Sequence, residues 1–135
     1  MKSRGLLTLA AFGAVATMTS FSVAAYQAIG VPQGPNAPHL VAVVGCLEQT
    51  ADGWALTKAA EPVDSKSPGT TQTAIKEADN KALGSLRFRL LGMGLFAPDT
   101  RKGQKVEVRG ILIPDPKDNR VNVTSLQTVN ASCAK

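Results

Sequence analysis

Cys46 and Cys133 are the only cysteines of this chain, and His39 is its only histidine. A zinc site needs about four closely placed ligands. Two distant cysteines with no Cys-x-x-Cys pair and one imidazole exclude a conventional one. A Ser–His–Asp arrangement would have to run through His39, at the edge of the domain beside Pro38, and no Gly-x-Ser-x-Gly elbow is present. His39 reads instead as an exposed residue where a strand begins. Asp115 and Asp118 share one turn and Asp99 lies near Lys102; carboxylates so placed read as turn residues, not as an acid–base pair. Gly92-Met93-Gly94 lacks the Gly-Lys-Ser/Thr that would follow in a phosphate loop. The chain therefore reads as no enzyme and as one without a cofactor. The remaining chemistry is charge: Arg87 and Arg89 alternate with Leu86, Phe88 and Leu90, a pattern that turns both guanidinium groups outward, where they suit an anionic ligand.

The front of the chain sets the compartment in which that chemistry would work. Lys2 and Arg4 precede an uncharged run from Leu6 to Met18, and Val23-Ala24-Ala25 supplies small residues for a signal peptidase. This three-part pattern predicts a secretory signal over residues 1–25, too short and wrongly flanked for a permanent span. No later segment is long and apolar enough to cross a bilayer as a helix. Cleavage near Ala25 removes two of the basic residues behind the formal charge of +5, which leaves a mildly basic chain without the dense stripe of a duplex-DNA binder. The residues left suffice for one small domain. In a secreted or periplasmic setting an even pair of cysteines predicts a disulfide. Cys46 and Cys133 are 87 positions apart, and closing so long a loop stabilises a fold by about 4–5 kcal/mol in the chain-entropy model. Val43-Val44-Gly45-Cys46 matches a lipobox by its letters. A lipobox cysteine directly follows the apolar core of its signal, whereas here Pro32, Pro35 and Pro38 intervene and end any signal helix. Lipidation of Cys46 is the minor alternative.

The elements that must position these residues are short strands. Residues 26–39 are rich in Pro and Gly and predict an extended lead-in to a domain over residues 40–135. Leu40–Leu47 is a Val-rich strand, Ala51-Asp52-Gly53 a hairpin turn, and Trp54–Lys58 the second strand. Residues 61–84 carry Pro62, Pro68, Gly69 and several polar residues, and predict a long exposed insertion with a short helical turn over Ala74–Leu83. Leu86–Leu90 is the third strand. Gly92–Gly103 connects it, with one helical turn at Met93–Ala97, to the fourth at Lys105–Ile113. There Val106 and Val108 face the core while Lys105, Glu107 and Arg109 face solvent. Gly110 suits a bulge or bend. After a turn at Pro114–Asn119 the fifth strand runs Arg120–Thr128, with a bulge near Thr124–Ser125 where Leu126 breaks the alternation. The pattern predicts an all-β domain: a small, five-stranded, OB-like antiparallel barrel with a long loop or short helical insertion between its second and third strands.

Val44-Gly45-Cys46-Leu47, Gly53-Trp54-Ala55-Leu56-Thr57, Phe88-Arg89-Leu90 and Lys102-Gly103-Gln104-Lys105-Val106-Glu107-Val108-Arg109-Gly110 together resemble the small secreted bacterial OB-fold proteins of uncharacterised function. The resemblance covers roughly residues 40–129 and departs from the family in the insertion at 61–84. The family carries no established catalytic residues. It implies a ligand face on the second and third strands flanked by the loop between the fourth and fifth, which gathers Arg87, Arg89, Lys58, Lys117 and Arg120 as a candidate anion-binding face. The competing reading of these cations is a solvated face that resists edge aggregation. Single-stranded nucleic acid would also need stacking aromatics there, and the alternation of Trp54 with Leu56 and the inward phase of Phe88 place both rings in the core. The expected function is a non-catalytic binding or interaction module of the cell envelope. Its partner would be anionic: an oligosaccharide, an acidic protein or, least supported, nucleic acid. The alternative is a structural or assembly subunit of an envelope complex, docking through strand edges or the Pro-rich lead-in.

Overall fold

The computed structural model describes residues 34 and 36–134. The expected signal over 1–25 and most of the lead-in lie outside the described residues. From His39 onward the chain forms β1 (His39–Thr50), β2 (Gly53–Ala59), β3 (Val63–Asp64), α1 (Gln72–Asn80), β4 (Leu86–Leu91), β5 (Lys105–Ile113) and β6 (Arg120–Asn130). Two 3-10 turns, Met93–Leu95 and Pro98–Arg101, lie between β4 and β5. The six strands form one sheet in the order β2-β4-β6-β5-β1-β3, and β2 also pairs with β1.

Two features of this sheet correct the expectation of five antiparallel strands. The pair β4–β6 is parallel, with Arg89 opposite Arg120 and Leu90 opposite Val121. Direction dictates this: β2 and β5 both run antiparallel to β1, β4 runs antiparallel to β2, and β6 runs antiparallel to β5. Strands β4 and β6 therefore point the same way and can only pair in parallel. The extra strand, β3, pairs Val63 with Ala42 and Asp64 with Val41. Only two residues long and preceded by Pro62, it carries too little alternation to be read from sequence.

The core forms where the alternation of the strands predicts it. Val41, Val43 and Leu47 of β1, Leu56 of β2, Phe88 and Leu90 of β4, Val106 and Val108 of β5, and Val121, Val123 and Leu126 of β6 make one buried cluster. Full burial of each such side chain contributes about 1.5–3 kcal/mol. Trp54, Leu86 and Phe96 pack at its margin. Gly45 lies in phase with Val43 and Leu47, where a Cβ would stand 2.7 Å from Leu56 Cγ. The register of β5 against β6 slips between Arg109 and Gly110, leaving Thr124 as the extra residue. This bulge restores Leu126 to the core side after Val123, as the sequence pattern requires.

The opposite side of β5 departs from expectation. Lys105 and Glu107 are buried, each 4 % exposed, and the Arg109 side chain is 13 % exposed. The insertion at 61–84 causes this, because it folds back onto the outward side of the sheet instead of standing in solvent. Thr71 caps α1 by accepting a hydrogen bond from the Ala74 N–H at 3.1 Å, which satisfies one free donor of the first turn. Ala78 is then buried as α1 packs on β6 and β5. Lys105 Nζ donates to the carbonyls of Asp79 and Lys81, both at 2.8 Å. A buried ammonium thus meets the partly negative C-terminal end of the helix. Cys46 and Cys133 form the expected disulfide, with Cα atoms 5.6 Å apart. It ties the C-terminal tail to β1 and leaves Cys46 no thiol to carry a lipid.

Candidate functional site

Of the five cations singled out by sequence, four fall into two pairs and Lys117 stands apart in the turn between β5 and β6. Arg87 and Arg89 are on β4, out of phase with the buried Phe88 and Leu90. Two positions along a strand span about 7 Å, and over that distance the surroundings change.

Arg87 is exposed and sits at a bulge. The ladder of β2 on β4 pairs Leu56 with Phe88 and Ala59 with Leu86, so Thr57 and Lys58 together oppose Arg87. Lys58 absorbs the extra residue with a left-handed φ of 45°, and its carbonyl accepts the Gly84 N–H at 3.0 Å where the insertion rejoins the sheet. Neither Lys58 nor Arg87 has a carboxylate within 4 Å among the described residues. Two cations without an acidic partner among the described residues therefore share one level of the sheet.

Arg89 stands opposite Arg120 in the parallel ladder, a juxtaposition of like charges that costs energy unless it is relieved. The turn between β5 and β6 relieves it. Asp118 lies 3.6 Å from Arg89 Nη1, and Asp115 lies 3.8 Å from Arg120 Nη2. Arg89 Nη2 also donates to the carbonyl of Asp52 at 3.3 Å. Asp115 Oδ1 accepts the backbone N–H groups of Lys117 at 2.8 Å and Asp118 at 3.2 Å. The Lys117 N–H is the main reason the Asp115 carboxyl is held below its ordinary range; desolvation opposes it, and the Asp118 N–H and the Arg120 charge add smaller lowering effects. Lys117 is exposed at the tip of this turn. Asp115 and Asp118, readable in sequence only as turn residues, are the built-in counterions of two of the five candidate cations.

The two aromatic residues weighed for stacking do not stand on this face: Phe88 is buried and Trp54 packs against the core. Among the described residues there is no group of three or more His, Cys, Asp or Glu able to hold a metal ion. His39, exposed at the start of β1, has Nε2 3.4 Å from Asp64 Oδ1.

A second polar cluster lies on the outward side of β5, where the alternation predicts solvent-facing charges. Under the insertion, Glu107 Oε1 accepts from Arg109 Nε at 2.8 Å and from the Thr70 hydroxyl at 2.9 Å. Thr70 Oγ1 is 3.2 Å from Ser125 Oγ, and Arg109 Nη1 donates to Ser65 Oγ at 3.0 Å. The alternation Lys105-x-Glu107-x-Arg109 shows which way these groups point but not what covers them.

Comparison with known proteins adds no relative. No protein-family model matches the chain, and no curated protein and no solved structure matches it. Among the described residues no helix is long and apolar enough to cross a membrane.

Proposed function

We propose that this chain is a secreted or periplasmic OB-like barrel of the cell envelope that works as a non-catalytic binding module, holding an anionic ligand at Lys58 and Arg87. The barrel reading is supported by the pairings themselves, which can be followed from β1 through β2, β4, β6 and β5 back to β1. That circuit, with its single parallel step, accords with the resemblance to small secreted OB-fold proteins. The disulfide and the lack of a membrane-spanning helix among the described residues are compatible with that location.

The observation that carries the ligand reading is the contrast along β4. Arg89 and Arg120 are matched by Asp118 and Asp115, whereas Lys58 and Arg87 share a bulge with no acidic partner in reach. A sulfate, phosphate or carboxylate would supply the missing charge there, with the planar Arg87 fork giving direction and Lys58 a point charge. The non-catalytic reading is supported by the partners of the lone histidine: Nδ1 of His39 faces the Ala37 carbonyl at 2.9 Å and Nε2 faces Asp64 at 3.4 Å, and no hydroxyl or thiol among the described residues is hydrogen-bonded to either nitrogen.

The test is calorimetric titration of the disulfide-bonded protein with a sulfated oligosaccharide at low and high salt. Affinity should fall steeply with salt, and Lys58→Glu with Arg87→Glu should abolish binding. Asp118→Asn, which releases Arg89, should tighten it by about threefold, the scale of one exposed ion pair. Unchanged affinity in the doubly substituted protein would remove this face from consideration. A second reading, an assembly subunit, draws on Leu95, 92 % exposed on the Met93–Leu95 turn. It predicts a complex that survives high salt and is lost with Leu95→Ser.

A further inference from the structure

Between α1 with its preceding loop and the outward side of β1 and β5 lies a cleft of about 330 Å³, at the small end of the range of ligand sites. Its wall is built from small apolar side chains: Ala42 and Val44 from the sheet, Ala74 and Ala78 from the helix. Glu107 and Arg109 also line it. A buried ion pair is a poor device for stability alone, because desolvation offsets its attraction and an apolar pair often does as well. Here the pair is also incompletely used. Glu107 is 4 % exposed; its Oε1 is taken by Arg109 and Thr70, and its Oε2 has no hydrogen-bond partner among the described residues. Arg109 spends Nε on Glu107 and Nη1 on Ser65 and Ser67, and its Nη2 has no partner among the described residues. An acceptor and a donor without a partner among the described residues therefore belong to one ion pair that lines the cleft. The lining charges balance: Asp64, Glu77 and Glu107 against Lys66, Lys81 and Arg109.

We propose that this cleft binds one neutral sugar ring through a pair of neighbouring hydroxyl groups. One hydroxyl donates to Glu107 Oε2, the next accepts from Arg109 Nη2, and the C–H face of the ring lies against the alanines of α1. Balanced charge disfavours a net ionic ligand. The acceptor and donor of one ion pair match a vicinal diol, whose oxygens can both donate and accept. The volume suits a single ring in place of a chain. This site is separate from the Lys58–Arg87 face, so either can fail without the other.

The experiment is an amide-shift titration of the intact, disulfide-bonded protein with glucose, galactose and mannose in turn, with glycine and citrate as zwitterionic and anionic comparisons. At least one hexose should give saturable shifts at Thr70, Ala74, Ala78 and Glu107, with a dissociation constant of about 1–10 mM. Ala74→Leu, which fills the cleft without touching the ion pair, should abolish those shifts. Glu107→Gln should weaken binding at least about tenfold; should that variant not fold, Ala74→Leu carries the test alone. The proposal is overturned if no hexose saturates these amides, if Ala74→Leu leaves the shifts intact, or if glycine or citrate saturates the site and the hexoses do not.

Discussion

Lys105 shows how much one side chain can hold. Its ammonium is buried and donates to the carbonyls of Asp79 and Lys81, so it joins β5 to the end of α1. Lys105→Met keeps the length of the stem but leaves those carbonyls short of a partner, at a cost of about 1–3 kcal/mol. Urea denaturation should register that loss, and hydrogen exchange should show it concentrated in α1. Lys58 is a different case, since its left-handed backbone costs about 1 kcal/mol in a residue with a Cβ. Lys58→Gly should therefore leave stability unchanged or improve it while lowering affinity for a sulfated oligosaccharide, which separates the charge from the bulge. Asp115 carries a pH dependence. Its folded pKa is lowered, chiefly by the Lys117 N–H, so its contribution is complete above the ordinary aspartate value and is lost as pH falls through the lower folded value. In an acid titration the amide signals of Lys117 and Asp118 should move together, with a midpoint below the ordinary aspartate range.

At the level of elements, the strands with one apolar face and the short helix of the insertion were legible, and the packing of that insertion on the sheet was not. Leu86-Arg87-Phe88-Arg89-Leu90 and Val106-Glu107-Val108 place their apolar side chains as period-two alternation requires, and the phase break before Leu126 marks the bulge at Thr124. Alternation names the side of the strand on which a charge lies, but it is silent about whether that side is wet. The segment at 61–84 reads as exposed because Pro62, Pro68 and Gly69 interrupt it and its apolar face is thin. Yet Ala74 and Ala78 are small enough for α1 to lie close against the sheet. Thr71→Ala removes the helix cap at a cost of about 1 kcal/mol. Because α1 covers Glu107, the same substitution should speed amide exchange at Glu107 as well as in the helix. Exchange that changes in the helix alone would show that the two are not coupled.

For the whole molecule the disulfide closes a loop of 87 positions that spans all strands but the first part of β1. Reduction, or Cys46→Ser with Cys133→Ser, should lower stability by about 2–5 kcal/mol, read as a fall in the melting temperature with and without reductant. The sequence by itself determined the five longer strands, their inward residues, the bulge and the cysteine pair, because each follows from alternation along one strand or from residue counts. Tertiary structure alone decided the parallel pairing of β4 with β6, the division of the β-strand cations into the neutralised Arg89 and Arg120 and the unneutralised Lys58 and Arg87, and the burial of Lys105, Glu107 and Arg109. Those outcomes depend on contacts between segments far apart in the chain: Asp118 with Arg89, Asp79 with Lys105, Thr70 with Glu107. A local pattern records which groups a strand presents. It does not record which distant segment folds over to meet them.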